Sequence, residues 1–349
     1  MGRDGLCTYG ELPDEAPKTT SRAFATSGYY VMRSGWRSHD HHLVFDGGPI
    51  AAGLYASDIP SAVHGHADML SFDLSVYGVP LVVDSGFFTY TGDPAWHRHF
   101  REVAAHNTVA IEGTSQAKFT GVMGWSCARP PLSFDWHQAS EYETVEGSHS
   151  SFYPLGDAIR HRRLIFSNRG EYWVIFDRLE GTGTHEVAAY FHLAPMTDVA
   201  MAGTRVTCSH KENHVGLLIE LPKQPAFSAQ LHDGGNRPDE GWEAPTYGTR
   251  TRAPVIRFGG HVSLPCEMAF LCLPVKDDDE VDLPAVTSTA CGHVQSCEVT
   301  TSQWTDRVDC DWSLEKSRHD GRIRYSRVKR RMGRPLAGSE LIHTSGAPR

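Results

Sequence analysis

What this 349-residue chain lacks narrows its reading before any motif is considered. It has no surplus of positive charge: 33 Lys and Arg stand against 42 Asp and Glu, a formal charge of -9. General nucleic-acid affinity is excluded on that ground, since phosphate contacts need Lys and Arg in excess. An acidic polysaccharide is also repelled at long range, so such a substrate requires a local basic pocket. No apolar run approaches a membrane span, and residues 1–26 carry no basic, apolar and small-residue succession of an export signal. A soluble, unexported chain is expected, unless Met1 is not the natural start. The eight cysteines form no CxxC pair. Cys266 and Cys272 share one apolar segment, where an extended spacing of six residues is about 20 Å. That is too far for a disulfide, so buried free thiols are expected. Internal repeats, low-complexity tracts and helical periodicity are scarce or missing.

What is present is a succession of short β-type runs. They include YYVM at 29–32, HLVF at 42–45, LSFDLSVY at 70–77, PLVVD at 80–84 and YWVIF at 172–176. VAAYFHL at 187–193, VGLLIEL at 215–221, PVIRF at 254–258 and MAFLCL at 268–273 continue the series. β-Branched and aromatic residues punctuated by turn formers predict an all-β fold of stacked antiparallel sheets, a β-sandwich. One short helix is expected near 94–104. Asp93 is a good N-cap, Pro94 suits the first helical position, and Trp96, Phe100 and Val103 share a face. Residues 1–26 read as a linker and flexible N-terminus, 27–275 as the β domain, and 276–349 as C-terminal strands with a basic tail. Asp277 to Glu280 reads as a solvated turn. Lys316, Arg318, Arg322, Arg324, Arg327, Lys329, Arg330, Arg331 and Arg334 read as a solvated or edge-strand surface, with a nucleic-acid or membrane arm as the alternative.

Twenty histidines are more than this length requires, and they are the natural pool for metal ligation and proton transfer. His64-Gly65-His66-Ala67-Asp68 places two histidines and a carboxylate on one face if the segment is extended. Asp84 ends an apolar strand, and His106-Asn107-Thr108 follows the short helix. Two histidines and one carboxylate make a ligand set that suits zinc and leaves a coordination position open. A hydrogen-bonded cluster without metal is the bland alternative. Geometry also sets a condition. A hairpin turning near Gly78 puts Asp84 opposite about Phe72, with His66 about 20 Å further along an extended strand. The residues meet only if 64–70 bends back.

The run HGHADMLSFDLSVYGVPLVVDSGFFTYTGDPAWHRHFREVAAHNTVAIEG, residues 64–113, resembles the C-terminal domain of heparinase II/III-like polysaccharide lyases. The similarity extends from GYYVMRSGW at 28–36 through HRRLIF at 161–166, YWVIFDRLEG at 172–181 and YFHLAP at 190–195. HGHAD, VDSG and AAHNTV in this order carry its specificity. The resemblance implies β-elimination on a uronic-acid polysaccharide such as heparan sulfate or alginate. It implies a structural zinc on His66, Asp84 and His106, with His64 facing the substrate. Tyr90 is a second catalytic candidate, and Arg101 and Asn107 are candidate substrate contacts. Bland roles for these last three are aromatic packing, a fold-stabilising ion pair and a turn residue.

Such lyases pair this domain with an N-terminal helical toroid that supplies most of the catalytic machinery. The chain has no counterpart of it, so it is expected to be inactive alone and to need a toroid in cis or in trans. A truncated N-terminus would allow a periplasmic or cell-envelope location. The competing classes are a non-catalytic, metal-stabilised carbohydrate-binding or structural module, and a metal-dependent hydrolase with water on an open zinc position.

Overall fold

The computed structural model describes residues 15–50, 64–120, 124–127, 129–153, 155, 159–222, 224, 226–235, 238–276, 283–314 and 322–329. The expected turn at Asp277–Glu280 and the basic residues Lys316, Arg318, Arg330, Arg331 and Arg334 lie outside them. Four main sheets make up the architecture. Sheet I contains, in spatial order, Arg22–Phe24, Tyr29–Arg33, His42–Asp46, Ser71–Val76 and Val79–Val82. Sheet II runs Thr197–Ala202, Arg205–His210, Val215–Glu220, Cys266–Lys276, Trp173–Glu180, Arg160–Ser167, Glu143–His149 and Ser133–Gln138. Sheet III orders Phe227–His232, Val255–Ser263, Thr184–His192 and Val109–Ile111. Sheet IV is a meander of Ala285–Cys291, Val294–Thr300, Trp304–Asp311 and Ile323–Lys329. Neighbouring strands in these sheets run antiparallel, as the stacked-sheet expectation requires.

Sheet II is buried on both faces at its centre, which explains why the strands there are continuous apolar runs rather than alternating ones. Trp173, Ile175 and Leu179 enter the core shared with sheets I and III, while Val174 and Phe176 face sheet IV. The adjoining strand divides in the same way, with Met268, Phe270 and Cys272 on one side and Ala269 and Leu271 on the other. Phe191, Phe258 and Phe270 close the first core with ring centroids 5.1 to 5.6 Å apart. Cys266 and Cys272 are buried free thiols.

Two boundaries differ from expectation. Arg22–Phe24 belongs to sheet I, paired Arg22 with Val31 and Phe24 with Tyr29, although 1–26 reads as linker. Ser21 anchors this edge, its hydroxyl donating to Glu143 Oε2 at 2.6 Å and accepting from the Arg33 N–H at 2.9 Å. The helical stretch is also divided: an α-helix, Pro94–His99, is followed by a separate 3-10 turn, Val103–Ala105. Asp93 caps the helix by accepting from the Ala95 and Trp96 N–H groups. The described part of the basic segment forms the edge strand Ile323–Lys329, where Arg327 pairs with Asp306 and Glu171. Among the described residues no helix is long and apolar enough to cross a membrane.

Candidate metal centre and proton-handling pair

The segment 64–70 does bend back. It is not a strand: Leu70 has φ 64°, and the Ser71 N–H donates to the Asp68 carbonyl at 2.9 Å, a tight turn that reverses the chain into sheet I. The turn is held from several sides. Leu70 N–H reaches Asp46 O at 2.8 Å, Gln116 Oε1 accepts from Met69 N–H, and the Thr108 hydroxyl donates to Met69 O.

Gly65 is the pivot. Its carbonyl accepts from Arg101 Nε at 3.1 Å, Arg101 Nη2 at 2.9 Å and Trp125 Nε1 at 2.7 Å. A Cβ at this position would sit 1.9 Å from the Ile50 carbonyl oxygen, so the approach requires glycine. Arg101 is itself oriented by His97, whose Nδ1 lies 2.7 Å from the Thr89 carbonyl. That contact makes Nδ1 the protonated nitrogen and leaves Nε2 to accept from Arg101 Nη1 at 3.0 Å. A chain of bonds thus runs from the Thr89–Tyr90 turn through His97 and Arg101 to the HGH segment. Spacing alone did not single out His97, because its partners are 8 residues away on a turn and 4 away on a bent helix end.

His106 is 0% exposed. Its Nδ1 lies 2.6 Å from Asp84 Oδ2, and its Nε2 is buried with no hydrogen-bond partner. His66, Asp68 and His106 each bring one ligand atom within 4.8 Å of the others. The expected trio was His66, Asp84 and His106. The structure groups Asp68, not Asp84, with the two histidines, and Asp84 is instead bonded to Nδ1 of His106. Two histidines, a half-buried carboxylate and an orphaned imidazole nitrogen make a donor set that fits a zinc ion.

Burial and neighbouring charges oppose one another across the cluster. Burial opposes the charge on Asp84, but His106, by charge and hydrogen bond, and then His66 outweigh it and hold the carboxyl at about 2. Burial likewise opposes a charged His106, yet Asp84 raises it. Burial, then His106, push His66 down to about 3. Asp68 is pushed well up by burial and by Asp46, and Asp73 is raised to about 7 by burial and by Asp84. Several carboxylates crowd one neighbourhood with few cations to offset them.

His64 lies outside this cluster, exposed, with Nδ1 3.1 Å from Tyr90 Oη and the two rings edge to face. Tyr90 also packs on Phe87, with centroids 4.5 Å apart. The two catalytic candidates are therefore in direct contact. Arg101 and Asn107, expected at the substrate, sit in the interior instead. Asn107 Nδ2 donates to Phe72 O and Val83 O, both at 2.9 Å, and its Oδ1 accepts from the His192 N–H at 2.6 Å. It staples sheet I to sheet III beneath the site. Below it, Arg163 donates to Leu70 O at 2.8 Å and Asn107 O at 2.6 Å while gripping Asp177 with two nitrogens.

The pattern of the family described as heparinase II/III-like, C-terminal, matches residues 16–289. A heparin-sulfate lyase of Bacteroides stercoris is 24% identical over 190 residues, covering 53% of this chain and 24% of that protein. A second, from Bacteroides thetaiotaomicron, is 24% identical over 180 residues, covering 51% and 23%. Among solved structures, a heparan sulfate lyase from Pedobacter heparinus superposes with a TM-score of 0.67 at 17% identity, over 85% of this chain and 43% of that one. A heparinase III gives 0.66 at 18% identity, with the same coverages. The matched segment thus spans about a quarter of the curated relatives and less than half of the solved chains. With the ordered motifs, the stacked antiparallel sheets and a family match over most of its length, the chain belongs to the heparinase II/III-like family, through that family's C-terminal domain.

Proposed function

We propose that this chain is the β-sheet part of a lyase that cleaves a uronic-acid-containing polysaccharide, heparin- or heparan-sulfate-like or alginate-like, by β-elimination. A helical toroid domain, in cis or in trans, completes its active site. The observation that carries the reading is the His64–Tyr90 contact of 3.1 Å at the surface, beside a half-buried, ligand-rich cluster. Family membership and the similarity to two heparin-sulfate lyases support it.

β-Elimination removes the proton on C5, the carbon bearing the uronate carboxyl. The C5–H electron pair becomes the C4–C5 double bond, the C4–O bond breaks, and the departing oxygen takes a proton. A base, an acid and a stabiliser of carboxylate charge are needed. With the His64 proton on Nδ1 and donated to Tyr90 Oη, Nε2 has a lone pair for the C5 proton. The Tyr90 hydroxyl proton then goes to the leaving oxygen, and the imidazolium returns its Nδ1 proton to the phenolate. Solvent exchange at exposed His64 resets the tautomer. In the other tautomer Nε2–H is a donor toward the uronate carboxylate. Base and carboxylate donor are two tautomers of one pair.

Zinc fits the cluster, held by His66, His106 and a carboxylate, Asp84 by family resemblance or Asp68 by proximity. When bound it supplies a cross-link and fixed positive charge. Arg101 and Asn107 act as positioning residues, setting the HGH turn and the junction of sheets I and III.

The test is to mix this chain with heparan sulfate, alone and with the helical domain of a full-length relative, and follow absorbance of the C4–C5 double bond. Absorbance is expected only when both parts are present. Binding without absorbance in either mixture would favour a non-catalytic carbohydrate-binding module. Cleavage without a double bond would favour a hydrolase.

A further inference from the structure

Tyr247 is, among the described residues, the most exposed of the large apolar side chains, at 59%. It is nevertheless fixed in place. Its ring stacks on Tyr90 with centroids 5.7 Å apart and planes 29° from parallel, and its hydroxyl accepts from the Tyr90 N–H at 3.4 Å. The segment carrying it is zipped to the strand end that carries Tyr90. Ala244 N–H donates to Ser85 O and Gly248 N–H to Phe88 O, both at 2.7 Å. Gly86, at φ 78°, permits the approach, because a Cβ there would lie 2.3 Å from the Ala244 carbonyl oxygen.

Three residues beyond Tyr247, the Arg250 guanidinium rests on the rings of Trp96 at 4.1 Å, Phe88 at 4.7 Å and Trp242 at 5.4 Å. Arg250 is exposed, and no carboxylate of the described residues pairs with it. Ring faces hold the plane of a guanidinium while leaving its N–H edge able to meet a planar anion with two bonds. A held, exposed ring face beside such a cation matches the two sides of an acidic sugar: the weakly positive C–H face of a pyranose, and its carboxylate or sulfate. The chain's net charge of -9 makes a local cation of this kind necessary for an anionic ligand.

We propose that Tyr247 and Arg250 form a saccharide subsite adjoining the His64–Tyr90 pair, Tyr247 lying against the face of an acidic sugar ring and Arg250 pairing with its carboxylate or sulfate. The subsite rests on the reading of this chain as part of a polysaccharide lyase. It places the sugar next to the one that loses its proton, on a surface wholly contributed by this chain.

The experiment is calorimetric titration of the whole chain with a heparan-sulfate hexasaccharide, at low and moderate salt. Tyr247→Ala is expected to weaken binding by about fivefold to tenfold, the range of an aromatic face contact. Tyr247→Phe keeps the ring and is expected to bind within about twofold of the unaltered chain. Arg250→Ala is expected to weaken binding by about tenfold or more and to flatten its salt dependence. The subsite is overturned if both alanine variants bind like the unaltered chain, or if the unaltered chain does not bind. Equal losses in Tyr247→Phe and Tyr247→Ala would also overturn stacking, since the hydroxyl's hold on the loop would then be the cause. The lyase reading is judged separately, by the double-bond absorbance with the helical domain present, so either idea can fail while the other stands.

Discussion

Asp84 Oδ2 stands 2.6 Å from Nδ1 of His106, and the opposite nitrogen of that ring is buried with no hydrogen-bond partner. A carboxylate behind a histidine fixes its tautomer and raises the basicity of the other nitrogen, the usual support for a metal ligand. His106 belongs to the same small cluster as His66 and Asp68, each offering one donor atom. An imidazole nitrogen left without a partner in an interior normally costs about 1–3 kcal/mol, which a bound ion would offset.

The purified chain is therefore expected to carry about one zinc per molecule by elemental analysis. His66→Ala and His106→Ala should lose the metal and melt at lower temperature, because binding energy of a structural ion is folding energy. Replacing Asp84 with Asn separates two arrangements. If Asp84 supports His106 from behind, affinity falls by about 10–100-fold. If it is a direct ligand, the metal is lost, while Asp68→Asn keeps it. A chain that neither contains zinc nor gains thermal stability on its addition would refute the centre.

Gly65 offers a test that touches no proposed ligand. An alanine Cβ would fall 1.9 Å from the Ile50 carbonyl oxygen, a backbone atom with little room to yield. Three donors converge on the Gly65 carbonyl, so any shift disturbs Arg101 and Trp125 as well. Gly65→Ala is expected to destabilise by about 1–3 kcal/mol, as overpacking does, and to lower zinc retention. Denaturant titration and metal analysis on the same sample check both effects.

Arg163 and Asp177 form a buried pair whose outer nitrogen holds Leu70 and Asn107 under the site. Breaking a buried pair on one side leaves an uncompensated charge, so Asp177→Asn is expected to cost about 3–5 kcal/mol by denaturant titration. Burial disfavours the Asp177 charge, but Arg163 and then His161 outweigh it and hold the carboxyl at about 2, below its ordinary 3.8. A depressed carboxyl contributes stability that is present above the unfolded value and is lost as pH falls from about 4 toward 2. His149 works in a higher window. Burial, then His161 and Arg163, lower it well below 6.5, so it is neutral when folded and takes up a proton when unfolded. Stability should therefore decline as pH drops below about 6.5, and His149→Phe should flatten that part of the curve.

The β architecture was legible because apolar runs in this chain are long enough to mark strands even where they cannot reveal pairing. Nine such runs, from YYVM to MAFLCL, each overlap a strand. Missed strands such as Glu143–His149 and Arg160–Ser167 are rich in charge, because Arg162 pairs with Glu146, and Arg163 with Asp177, inside the protein. At the site, HGHAD, Asp84 and His106 were visible as residue types, but the fold that joins them was not. It depends on Leu70 in a left-handed conformation, which local sequence does not announce. Asn107 reads as a substrate contact or a turn residue after a helix, and its burial depends on backbone groups from two sheets. Tyr247 is 157 residues from Tyr90, beyond any spacing argument.

His64 and Tyr90 make the sharpest functional test, since their contact is exposed and the fold does not rest on it. In the complex with a helical domain, His64→Ala is expected to lower kcat by about 10²–10⁴-fold, the range of a positioned acid or base. It should keep the zinc and change the melting temperature by little, because His64 is exposed and not within the ligand cluster. Tyr90→Phe removes the hydroxyl but keeps the packing on Phe87 and Tyr247. If the two side chains act as one proton-handling unit, the double variant should lose about as much activity as the worse single variant, not the product of both losses. Multiplicative losses would mean that each acts independently, and an unimpaired Tyr90→Phe would reduce Tyr90 to packing.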